Sequence, residues 1–157
     1  MPGTLRNPDT KVMEPISLFL VEDDDDHAGI ITRLLKKDNP NLAINRAKDG
    51  VEALVFLEQN IEKEKNLPDI ILLDLKLPRK DGHEVLERIK QSPVLKAIPV
   101  VVLTTSDAES DREKAYKLSV NSYLVKPVEI ERFRLLVEDL YHYWCEWNRL
   151  PNRKAIH

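Results

Sequence analysis

ISLFLVEDDDDHAGI, residues Ile16 to Ile30, sets an unbroken apolar run against five consecutive acids. Blocks of like charge usually mark a solvated or disordered loop. Here, however, the acids sit between ISLFLV (Ile16 to Val21) and a helical pattern that starts near His27. A short continuous apolar run reads as a strand covered on both faces. The acids therefore fall at the carboxyl end of a buried strand.

Outward from this stretch, strand and helix patterns alternate. Ile30, Ile31, Leu34 and Leu35 recur at helical spacing, and Pro40 closes that unit. LAINRA (Leu42 to Ala47) reads as a second strand, and Asp49-Gly50 turns the chain into a helix carrying Val51, Leu54, Val55 and Leu57. The charged loop from Glu62 to Asn66 reads as surface elaboration. DIILLDL (Asp69 to Leu75) is the third strand, ended by Pro78 and Asp81-Gly82, and Val85, Leu86 and Ile89 mark the third helix. IPVVVLTT (Ile98 to Thr105) is the fourth strand, followed by a weakly apolar helix near Asp107 to Leu118. NSYLV (Asn121 to Val125) is the fifth strand, and a last helix from near Glu129 carries Phe133, Leu136, Val137, Leu140 and Trp144. This pattern predicts an α/β fold, a doubly wound five-stranded parallel sheet with helices on both faces and right-handed crossovers. Ligands of such sheets bind outside the carboxyl ends of the strands.

The 157 residues suggest one domain, expected over 15–150, with a mobile N-terminal arm at 1–14 and a tail at 151–157. The net charge of −3 argues against nonspecific nucleic-acid binding, which needs a basic face. The one cysteine, Cys145, allows no intramolecular disulfide. No apolar run approaches the roughly 18 residues of a membrane helix, and MPGTLRNPDTKVMEP has no signal-peptide core. A cytoplasmic location is the expectation, with no membrane partner.

The strand ends carry the chemistry. Glu22 and Asp23 end the first strand, Asp74 the third, Thr104 the fourth and Lys126 the fifth. Thr105 beside Thr104 leaves two hydroxyls as candidates. In a parallel sheet these residues share one edge. Carboxylates gathered there raise one another's pKa values unless a cation joins them. Magnesium suits a site with few carboxylates, since it keeps waters and accepts phosphate oxygens. The apparent chemistry is phosphoryl transfer, with Asp74 as a nucleophile that forms an acyl phosphate. Lys126 and Thr104 would offer a charge and a hydroxyl to the phosphoryl oxygens. Taken singly, Asp74 reads as a turn residue, Thr104 as a strand-end threonine and Lys126 as a loop lysine. The joint pattern, each type at the right strand end in the right order, argues for a site.

At these residues the chain resembles the receiver domain of two-component response regulators. LFLVEDD, IILLDLKLPRKDG, PVVVLTT and SYLVKP carry the resemblance, which covers about Ile16 to Leu140. It implies a flavodoxin-like receiver fold with strand order 2-1-3-4-5. It implies magnesium on Glu22, Asp23, Asp74 and the backbone carbonyl of Lys76, with Asp74 the phosphoacceptor. Thr104 and Lys126 would contact the phosphoryl group, Tyr123 would be the aromatic switch residue, and the Lys126-Pro127 bond would be cis. Asp24 would point to solvent, and Asp25 or Asp26 would cap the first helix. A narrower resemblance, carried by LPRKDGHEVLERIKQSPVLKAIPVVVLTTS with the Trp-containing end and Leu150-Pro151, is to the single-domain regulators paired with cyanobacterial phytochrome kinases.

The expected function is that of a stand-alone response regulator, phosphorylated by a histidine kinase and switching partner binding. It is not an enzyme beyond its own phosphoryl transfer and dephosphorylation. A magnesium phosphohydrolase resembling haloacid dehalogenases wants a second acid two residues after the nucleophile, where this chain has Lys76. A flavin phosphate would be repelled by the acidic run. A DNA-binding output is not expected, because the chain ends after the last helix. The four histidines, His27, His83, His142 and His157, are expected on the surface or in packing. The last helix, expected from Glu129 to Leu150, should project beyond the sheet and expose aromatics among Tyr141, Tyr143, Trp144 and Trp147. A homodimer through that helix is the expectation.

Overall fold

The computed structural model describes residues 16–63 and 66–151. The expected N-terminal arm and all of the expected tail beyond Pro151 lie outside the described residues. Five strands alternate with five helices: β1 (Ser17–Val21), α1 (Asp25–Lys37), β2 (Ala43–Ala47), α2 (Gly50–Lys63), β3 (Ile70–Leu73), α3 (Gly82–Gln91), β4 (Val100–Thr104), α4 (Glu109–Lys117), β5 (Ser122–Val125) and α5 (Ile130–Tyr141). The strands form one sheet in the order β2-β1-β3-β4-β5, and every neighbouring pair is parallel. The expected fold class and strand order are therefore found.

The apolar runs work because successive side chains of a strand point to opposite faces. Phe19, Val21, Ile71, Leu73, Val100 and Val102 join one core, packed on α2, α3 and α4. Leu18, Leu20, Ile70, Leu72, Val101 and Leu103 join the other, packed on α1 and α5. The ladders continue one step past the strands. Glu22 N–H bonds to the Ala47 carbonyl at 3.0 Å, Asp74 N–H to Val21 at 3.0 Å and Lys126 N–H to Thr104 at 2.7 Å. Backbone pairing thus fixes the residues at the carboxyl edge.

Three expectations are corrected. Asp24, not Asp25 or Asp26, caps α1: it is extended, and its carboxylate accepts the N–H groups of Asp26 (2.9 Å) and His27 (3.0 Å). The helix begins at Asp25, before the expected start near His27, so Asp25 and Asp26 lie in its first turn, where negative charge meets the positive end of the dipole. The described residues contain no cis peptide bond, so Lys126-Pro127 is trans, the isomer X-Pro bonds prefer by about 0.5–1 kcal/mol. The last helix is not one regular α-helix: α5 stops at Tyr141, and His142–Trp147 continue as wider π turns. Asn148 N–H closes that segment on the Tyr143 carbonyl at 2.6 Å. Apolar spacing marks a helix but does not fix its width. Tyr141 and Trp144 are buried in the second core, while Tyr143 and Trp147 remain 56% and 80% exposed.

The helix α4 is held differently from the rest. Ala115 is its one buried residue, whereas α3 buries Val85, Leu86 and Ile89.

Gly82 sits where the chain leaves β3 for α3. A Cβ there would lie 2.4 Å from the Asp74 carbonyl oxygen and 2.5 Å from Leu75 Cα, both backbone atoms. Gly82→Ala is expected to destabilise by about 1–3 kcal/mol, the usual range for overpacking. Gly29 is the opposite case, since on the exposed face of α1 an added Cβ meets nothing within 4 Å. Gly29→Ala should stabilise by about 0.5–1 kcal/mol. Urea unfolding of the two variants against the parent checks both, and a Gly82→Ala chain as stable as the parent would show that this loop can yield.

Candidate functional site

The carboxyl ends of β1, β3, β4 and β5 bring the expected residues together. Glu22, Asp23 and Asp74 each present a carboxylate oxygen within 4.8 Å of the others. Glu22 and Asp74 are buried and Asp23 is exposed. Lys126 reaches in from the end of β5 with its side chain 2% exposed, and its ammonium donates to Glu22 Oε1 and to Asp74 Oδ2, the latter at 3.1 Å. The other oxygens are also engaged. Glu22 Oε2 accepts Asp24 N–H at 3.1 Å, and Asp74 Oδ1 accepts Lys76 N–H at 3.1 Å.

Burial pushes the Glu22 carboxyl up to about 7, with the charge of Asp74 adding to the rise and Lys126 opposing it. Three carboxylates against one ammonium leave an excess of negative charge in a partly dry site. The donor set is all oxygen and small in number, and it fits a hard divalent cation that retains waters.

Thr104 is fully buried, and its Oγ1 accepts Ser106 N–H at 3.4 Å. Ser106 connects this hydroxyl to the other expected switch residue, because its carbonyl accepts the Tyr123 hydroxyl at 2.9 Å. Thr105, the alternative hydroxyl, is exposed. Lys76 is exposed, with its ammonium 3.5 Å from Asp111 Oδ2.

Some neighbours of the site were not anticipated. His27 Nδ1 lies 3.0 Å from the Lys126 ammonium. Arg46, at the end of β2, donates from Nε to the Glu22 carbonyl at 3.0 Å and pairs with Asp25 at 2.9 Å. Asp111, on the first turn of α4, accepts the Ser106 hydroxyl at 2.5 Å and meets the buried His83 of α3 at 3.1 Å. His27 offered one signal: it falls one turn into a helix that starts at the acidic edge. Nothing in the sequence pairs His83 with Asp111, which meet across 28 residues.

This fold, with an acidic edge joined by a buried lysine and a buried threonine, is that of a response-regulator receiver domain. The response regulator receiver domain family matches residues 18–138, and the chain belongs to it. Among its relatives, the probable methanogenesis regulatory protein FilR2 of Methanothrix harundinacea is 45% identical over 138 residues, 88% of this chain and 89% of that one. Response regulator Rcp1 of Synechocystis sp. is 42% identical, over 87% of this chain and 94% of its own. The crystal structure of the Mn(2+)-bound form of Rcp1 matches with a TM-score of 0.83 at 40% identity, covering 88% of this chain and 100% of that one. The phosphorylated cyanobacterial phytochrome response regulator RcpA matches with a TM-score of 0.83 at 38% identity, covering 88% and 99%. Among the described residues, no helix is long and apolar enough to cross a membrane.

Asp111 yields a pH prediction. Its carboxyl is held down from 3.8 to about 2 by the Ser106 hydroxyl first, then by His83, with Lys76 adding. A carboxyl depressed on folding stabilises fully above its unfolded value, and that contribution is lost as the pH falls through its folded value. Asp111 is partly open to solvent, so Asp111→Asn is expected to cost about 1 kcal/mol at neutral pH. The gap to the parent should then narrow between 3.8 and about 2. Urea unfolding at stepped pH reads this, and a gap that stays constant into acid would remove the carboxylate from the account.

Proposed function

We propose that this chain is a stand-alone phosphoacceptor switch, receiving a phosphoryl group from a histidine kinase on Asp74. One observation carries the reading: Asp74 is buried at the end of the central strand, in hydrogen-bond contact with Lys126 and beside two further carboxylates. An oxygen of the Asp74 carboxylate attacks the phosphorus of a phosphohistidine. The P–N bond breaks, and the histidine nitrogen leaves with its electron pair and takes a proton from solvent. Catalysis of this kind is mostly positioning and charge stabilisation.

Glu22, Asp23, Asp74 and the backbone carbonyl of Lys76 would hold magnesium. The cation supplies positive charge against the attacking carboxylate and the phosphoryl oxygens. Lys126 holds Asp74 in place beforehand, and its ammonium is then free to move to a phosphoryl oxygen. Thr104 offers its hydroxyl to another. Since Ser106 is bonded to both Thr104 and Tyr123, a shift of Thr104 passes to the tyrosine and to the thinly anchored α4. That shift is the switch, and its readout is affinity for a partner. Apart from making and losing its own acyl phosphate, the chain acts on no substrate.

The chain is proposed to act in the cytoplasm. A phytochrome kinase is the first to test, because RcpA is a phytochrome response regulator. FilR2 carries a methanogenesis name at higher identity, so the panel must include kinases of other stimuli. A homodimer through the C-terminal turns is part of the proposal. Tyr143 and Trp147 are large and exposed on those turns, and aromatic residues are favoured interface anchors. Nucleic acid is not a partner in this reading, given the net charge of −3.

Two outcomes are expected. With acetyl phosphate and magnesium, intact mass should show one added phosphoryl group, absent in Asp74→Asn and strongly reduced in Asp23→Asn. Equal modification of Asp74→Asn would place the acceptor elsewhere. In analytical ultracentrifugation the full chain should dimerise, and Tyr143→Ala with Trp147→Ala should weaken the dimer. Ending the chain at Tyr141 is the poorer test, since it also removes the buried Trp144. A parent that stays monomeric at high micromolar concentration, phosphorylated or not, would sink the dimer.

A further inference from the structure

A lysine ammonium carries three N–H donors and no acceptor. At Lys126 each donor has one partner: Glu22 Oε1, Asp74 Oδ2 at 3.1 Å and His27 Nδ1 at 3.0 Å. Two of these partners change during the reaction proposed above, on which this inference rests. Asp74 gives a carboxylate oxygen to phosphorus, and Glu22 stands among the proposed cation ligands. His27 does neither.

The backbone N–H of His27 is bonded to the Asp24 carboxylate at 3.0 Å, which fixes the main chain there, and the imidazole lies 5.5 Å from the Phe133 ring of α5. Nδ1 can accept a hydrogen bond from the ammonium only when the ring proton is on Nε2. A proton on Nδ1 would face the ammonium, and Asp24 Oδ2, 3.7 Å away, is too far to bond it. The geometry therefore assigns a neutral imidazole with its lone pair on the lysine.

We propose that His27 is a positioning residue for phosphoryl transfer. It is a neutral acceptor that keeps the Lys126 ammonium in the site while the bond to Asp74 passes to a phosphoryl oxygen. An acceptor without charge adds no repulsion toward the incoming phosphoryl group. An apolar residue there would leave one N–H of a buried ammonium unpaired, a costly condition. The ammonium would then settle onto Asp74 and occupy the electron pair that must attack.

The test uses the full chain with magnesium and phosphoramidate, a small phosphoryl donor. Intact mass against time gives a maximal rate and a half-saturating donor concentration. His27→Phe keeps an aromatic ring against Phe133 and deletes the acceptor. Its maximal rate should fall about tenfold with half-saturation within about twofold of the parent, the split of an interaction that acts after donor binding. His27→Asn places Oδ1 as many bonds from the backbone as Nδ1 and should recover most of that rate. Independently of phosphorylation, the ¹⁵N–¹H signal of the Lys126 ammonium should broaden in His27→Phe through faster proton exchange, and persist in His27→Asn. A His27→Phe chain with the parent rate and signal overturns the assignment. Equal losses in both variants overturn it too, since they would make His27 a packing residue. A parent that takes no phosphoryl group overturns the phosphoacceptor reading itself, and the role of His27 with it.

Discussion

The ammonium of Lys126 lies between the carboxylates of Glu22 and Asp74, with almost no solvent on any of the three. Removing ions from water costs several kcal/mol each, and their attraction offsets this only when the geometry is good and the remaining donors are satisfied. The three groups come from β5, β1 and β3, so the arrangement exists only if those strands end together. The one-step extensions of the ladders at Glu22, Asp74 and Lys126 enforce that alignment. Replacing a buried ion cluster by apolar residues is often neutral or stabilising. Stability alone therefore does not explain why the fold places one at the end of its central strand, where the proposed phosphoacceptor role would use it.

Much of this was legible in the sequence, for a geometric reason. In a parallel sheet every strand finishes on the same edge, so the last residue of each apolar run is automatically a neighbour of the others. Glu22, Asp23, Asp74, Thr104 and Lys126 could be assembled from strand ends alone. The apolar runs also implied two covered faces, and the two cores bear this out.

Details set by one residue or by side-chain meetings were not legible. Asp24, Asp25 and Asp26 are chemically identical, and an earlier helix start, at Asp25, moved the cap to Asp24. The π turns after Tyr141 keep an apolar spacing close to that of an α-helix, so Trp144 was placed correctly while the helix type was not. His27 meets Lys126 across 99 residues, and Arg46 meets the Glu22 carbonyl across 24. Such pairings arise from tertiary packing that no local pattern encodes.

The sparse anchoring of α4 bears on how relatives of this chain can diverge. The helix sinks one alanine into the core and ties its first turn through Asp111, which leaves Glu109, Glu113, Tyr116 and Lys117 on the surface. Substitutions at exposed positions away from special features usually change stability by less than about 0.5 kcal/mol. Residues on that face can therefore drift toward new partners with little penalty to folding, while Asp111 and Ala115 stay constrained. A receiver built this way can keep its chemistry fixed at the sheet edge and change its audience one surface residue at a time.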